Sequence, residues 1–156
     1  MYLPLLIFGF LSASSALVLE LILLPSHALG SPSFTASFLI LLLAVATIEE
    51  VAKFFFLRQY LLRYFQTLAP GATQIFLLGT LFGIGFSALE LSLAFFDGLQ
   101  RIGAPIIGTA LLHIAMSILI LASLRKSPSS LAFRLLSLAL VIFLHFLYNA
   151  SVSFWN

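Results

Sequence analysis

The sequence predicts an all-α protein, a polytopic membrane helical bundle of about five transmembrane helices. Two observations carry that expectation. Of 156 residues, 62% are hydrophobic and only 8% charged, with a mean hydropathy of +1.21, whereas about a quarter of the residues in soluble domains are charged. The apolar residues also fall into runs of roughly 20, the length that crosses about 30 Å of hydrocarbon, and clusters of Pro, Gly and Ser separate the runs. No stretch is left for a soluble domain, so residues 1–156 read as a single integral membrane domain. The chain has no cysteine, which excludes a disulfide, a thiol nucleophile and a thiolate metal site. A formal net charge of +2 gives no basis for nucleic acid as a partner.

The first span is expected over residues 2–24, ending at Pro25 and the loop SHALGSPS. Ser26 and Ala28 have the small-x-small spacing of a leader cleavage site, but the apolar run is too long and lacks a basic start, so a retained helix is expected. The second span, 34–64, continues through the charged segment TIEEVAKFFF (47–56) and stops at APGAT. The third, 74–96, ends at DGLQRIGAP. The fourth, 105–124, opens on Pro105, which suits a first helical turn because its missing N–H has no intrahelical partner there. RKSPSS closes it, and the fifth span covers 131–153. Arg58, Arg63, Arg125, Lys126 and Arg134 lie at one set of connections and Arg101 at the other. The positive-inside rule then puts the N-terminus inside and the C-terminus outside.

The acidic residues carry the functional signal. Glu20 and Asp97 fall near predicted helix ends, but Glu49, Glu50 and Glu90 lie inside apolar runs, as do His113 and His145. An acidic side chain at mid-bilayer costs on the order of 2.5–3.5 kcal/mol, so such groups are expected to face the bundle interior and to act there. A plainer use is an ion-pair and hydrogen-bond network that fixes helix register, and Glu49 with Lys53 has the i,i+4 spacing for it. At 1.5 Å per residue, Glu90, His113 and His145 lie about 10, 12 and 16 Å below the outer ends of their helices, and Glu49 about 22 Å. Four helices therefore offer polar groups to one cavity open to the outer side. Phe86 and Glu90 are one turn apart on a face that includes Gly83, and His145 and Asn149 are likewise one turn apart, placed to reach one oxyanion or water. Gly79 and Gly83 form GxxxG, whose uses are close packing inside the bundle or a homodimer interface.

The ordered set EEVAK (49–53), FSALE (86–90), His113 and HFLYN (145–149) resembles the PrsW branch of the superfamily of CAAX prenyl proteases and bacteriocin-processing enzymes. The resemblance implies a CAAX-protease-like core over the second to fifth helices and a glutamic intramembrane endopeptidase, with no cofactor or metal expected. It implies Glu49 as the base that activates water, Glu90 as a second group on that water, His145 and Asn149 as oxyanion donors, and His113 as a group that orients water or protonates the leaving amine. Glu50, Lys53 and Phe86 are expected to support them. The implied partners are the lipid bilayer and a membrane protein or precursor peptide, cut near the outer side of a prokaryotic cytoplasmic membrane. Three other functions use the same residue types. Carboxylates and imidazoles also ligate Zn²⁺, which would make a metal-dependent protease, although the chain lacks H-E-x-x-H. An ion- or proton-coupled transporter uses intramembrane Glu and His as well, although no paired repeat is visible. A non-catalytic scaffold is the third.

Overall fold

The computed structural model describes residues 3–24, 35–65, 70–96, 104–125 and 131–155. The positions expected to punctuate the chain at Pro25, SHALGSPS, Asp97, Arg101 and Lys126 lie outside the described residues. Among the described residues, five helices form the fold: α1 (Leu3–Leu23), α2 (Ala36–Tyr64), α3 (Ala72–Phe96), α4 (Ala104–Arg125) and α5 (Leu131–Trp155). No strand occurs among the described residues. Thr35 caps α2, its hydroxyl accepting from the Phe38 N–H at 3.3 Å. Four helices, α1, α3, α4 and α5, are long and apolar enough to cross a membrane by themselves. The exception is α2, in which every window of that length contains Glu49, Glu50 and Lys53. It is therefore the helix that most needs partners, and it packs chiefly on α1, α5 and α4.

The five helices close a ring in the order α1, α3, α4, α5, α2, with α2 and α4 also touching across it. Phe8 ties α1 to α2 through edge contacts with Phe56 and Tyr60, at centroid distances of 6.0 and 5.8 Å. Small residues bring α3 against its neighbours. A Cβ at Gly79 would lie 2.5 Å from the Ile118 side chain, and one at Gly83 would lie 2.5 Å from the Ile114 Cα. The GxxxG face thus packs on α4, inside the bundle, which is the first of the two uses expected of it, and the homodimer through Gly79 and Gly83 finds no support. Lipid tails are as apolar as leucine, so close backbone approach supplies the packing energy that hydrophobicity supplies in water. The greater depth expected for Glu49 does not separate it from the histidines, since its Oε2 lies 4.0 Å from His113 Nε2 and 3.9 Å from His145 Nε2. With 29 residues α2 is the longest helix, about 43 Å, so its start need not share a level with the ends of the others.

Candidate active site

One turn of α2 delivers Glu49, Glu50 and Lys53 to the centre of the ring, where Glu50, Lys53 and His113 have no exposed surface. Lys53 organises the cluster. Its Nζ donates to Glu50 Oε1 at 2.6 Å and to His113 Nδ1 at 2.7 Å, and it stands 4.2 Å from the centroid of the Phe86 ring. An ammonium has donors only, so His113 Nδ1 must accept, and the ring proton sits on Nε2. From there His113 donates to Glu90 Oε2 at 2.7 Å. On α5, His145 Nδ1–H donates to Glu50 Oε1, also at 2.7 Å, which fixes that ring and turns its Nε2 inward. Buried charges persist when they are paired and hydrogen-bonded, and here one lysine, two carboxylates and two imidazoles are linked across four helices, while the second oxygen of Glu50, Oε2, has no hydrogen-bond partner among the described residues.

Glu49 stands outside these short bonds. Its Oε2 is buried and has no hydrogen-bond partner among the described residues. It lies 3.9 Å from Lys53 Nζ, 4.0 Å from His113 Nε2 and 3.9 Å from His145 Nε2. These separations exceed hydrogen-bond reach and equal the span across one small bridging group. A cavity of about 50 Å³ reaches Glu49 between α1 and α3, lined by Ala13, Ala16, Glu20, Phe86 and Glu90 among others. That volume admits water, which needs roughly 10–15 Å³ and polar partners.

The ring thus brings together Glu49, Glu50, Lys53, Phe86, Glu90, His113 and His145. It does not draw Asn149 into the network. That residue is half-buried one turn beyond His145, and its backbone carbonyl accepts from the Ser153 hydroxyl at 2.8 Å. The pairing of Lys53 also departs from expectation, because the close partner is Glu50 at i,i+3 rather than Glu49 at i,i+4. Sequence reasoning assigned Glu20 to a helix end, whereas it lines the same cavity as Glu49 and Glu90. The available signal was an acidic residue inside an apolar run, but a position one turn from the end of α1 reads equally well as interfacial.

Residues 1–156, the whole chain, match the family model described as PrsW family intramembrane metalloprotease. The chain belongs to the PrsW family. It is therefore an intramembrane peptidase, with a membrane substrate and the lipid bilayer as its partners. No curated protein and no solved structure matches the chain.

The PrsW description names a metal, and the site has one donor set to test against it. Glu49, His113 and His145 each offer one ligand atom, all within 4.8 Å of one another. A carboxylate with two imidazoles is a recognised zinc set, with donors about 2.0–2.2 Å from the ion. Two of the three are available, Glu49 Oε2 and the inward Nε2 of His145. The third is not, because His113 Nε2 is taken up by Glu90 and its Nδ1 by Lys53. The Lys53 ammonium, 3.9 Å from Glu49 Oε2, also opposes a divalent cation at that point. In this arrangement the residues do not fit a three-ligand metal centre.

Proposed function

We propose that this PrsW-family protease is a glutamic endopeptidase in which Glu49 activates the attacking water. The observation that carries the reading is the Glu49 Oε2 atom, buried, unpartnered and 3.9–4.0 Å from three nitrogens. Glu49 takes a proton from water as the oxygen attacks the peptide carbonyl, and returns it to the leaving amine when the C–N bond breaks. Glu90, aimed by His113 Nε2–H, holds the same water from the α3 side. His145 is oriented through Nδ1 by Glu50, and its Nε2, when protonated, donates to the tetrahedral oxyanion together with Asn149, a contribution of a few kcal/mol in comparable sites. Lys53 fixes Glu50 and His113 and lends positive potential to the centre.

The chain works as one domain under this reading, with α1 forming a wall of the water cavity. The positive-inside rule, applied to the arginines near the far ends of α2 and α4 and the start of α5, supports a cytoplasmic position for that side and, with it, a Glu49 level in the outer half of a prokaryotic membrane. A single-span protein or precursor cut near its outer end then fits best. Metal content separates this reading from its rival. Purified enzyme that cleaves with substoichiometric metal and resists chelators supports it. Activity that follows metal content, falls with a chelator and returns with Zn²⁺ overturns it in favour of a centre on Glu49, His113 and His145.

A further inference from the structure

A second, larger cavity lies away from the carboxylates. It measures about 530 Å³ and is lined by Arg58, Leu61 and Phe65 of α2 and its end, Leu124 and Arg125 of α4, and Arg134 of α5, a volume within the range of ligand pockets. Along α4, Arg125 is about 18 Å from His113, and along α5, Arg134 is about 16 Å from His145. Three arginines from three helices share this wall, and none of the lining residues is acidic. The acidic residues described, Glu20, Glu49, Glu50 and Glu90, belong to the other site.

Helix dipoles account for part of this charge. Arg125 is in the last turn of α4, where a cation is favoured, and so is Arg63 in α2. Arg63 does not line the cavity, and its guanidinium lies 5.8 Å from the centroid of the Tyr64 ring. Arg58 stands well before the end of α2, so the dipole does not explain it. Arg134 is placed against the dipole, in the first turn of α5, which carries no acidic residue. An anion in the cavity would oppose the positive end of α5 and all three arginines at once. The remaining wall, Leu61, Phe65 and Leu124, is apolar, which suits a ligand that joins an anion to hydrocarbon.

We infer that this cavity binds the phosphate headgroup of an anionic phospholipid, with Arg58, Arg125 and Arg134 around the phosphate and the apolar wall against the glycerol and first methylenes. Guanidinium forks match phosphate oxygens, and basic pockets between transmembrane helices are suited to acidic headgroups. The inference is independent of the catalytic reading. Its test is the melting temperature of the full-length protein in phosphatidylcholine vesicles with and without 30% phosphatidylglycerol. Phosphatidylglycerol should raise Tm by about 3–6 °C. Arg58→Gln/Arg134→Gln should lose that shift, whereas Arg58→Lys/Arg134→Lys should keep part of it and Arg63→Gln all of it. No shift in the wild type overturns the inference, as does an equal loss in Arg63→Gln, which would mean diffuse surface attraction. An equal rise from inorganic phosphate in phosphatidylcholine alone would replace the lipid with free phosphate and also overturn it. If the Gln variant does not fold, the wild-type, Lys and Arg63→Gln arms decide.

Discussion

The two charged regions of this bundle balance their charge in opposite ways. At the centre, Lys53, Glu50, His113, His145 and Glu90 pair with and orient one another through hydrogen bonds of 2.6–2.7 Å. At the basic end, three arginines line a cavity of about 530 Å³ with no carboxylate in its wall. The first region can be rigid without any ligand, which is what a preorganised catalytic site needs. The second presents positive charge to whatever enters its cavity, which is what a binding site needs. Charge in a membrane protein therefore has to be read together with its partners, because burial alone would rank the two regions wrongly.

The comparison can be broken most severely at Lys53. In Lys53→Met, Glu50 loses its cation and His113 its donor, and removing one partner of a buried pair costs about 3–5 kcal/mol. Loss of folded protein on size exclusion, together with loss of cleavage, is the expected result. Survival of both would show that the central network is not self-balanced. Gly83→Ala should act next in size through packing alone, since the new Cβ would meet the Ile114 backbone; overpacking of this kind costs about 1–3 kcal/mol. Its Tm should fall while any molecules that remain folded cleave normally. Glu20→Gln should have the smallest effect. It changes one wall of the water cavity and leaves the 2.6–2.7 Å bonds intact, so cleavage should change by less than about tenfold, or 1.4 kcal/mol, with Tm unchanged. A larger loss would place Glu20 among the groups that handle the proton.

The fold was legible where chain breakers and apolar lengths decide it, and the positions of α1 to α5 follow from Pro, Gly and Ser clusters between long runs. The polar cluster was legible because its burial penalty makes Glu49, Glu50, Lys53, Glu90, His113 and His145 conspicuous in lipid. The helix faces were not. These helices are apolar all round, so periodicity, which separates core from surface in water, does not show which side of α1 or α3 turns inward. That is why Glu20 read as an interfacial residue and Gly79 and Gly83 left a dimer open. Sequence spacing also allowed Lys53 to meet either neighbour in its own helix. The choice of Glu50 over Glu49 depends on His113 and His145, which arrive from α4 and α5.

The assignment of Glu49 as the base is tested most directly by mass-spectrometric profiling of new protein termini. Membranes from host cells producing the wild type or Glu49→Gln would be compared at matched expression and matched Tm. Gln preserves the shape of the side chain and removes the base, so termini made by the wild type should fall by at least about 10²-fold, the usual contribution of general acid–base catalysis. A Glu49→Gln protein that produces the same termini at the wild-type rate would contradict the assignment.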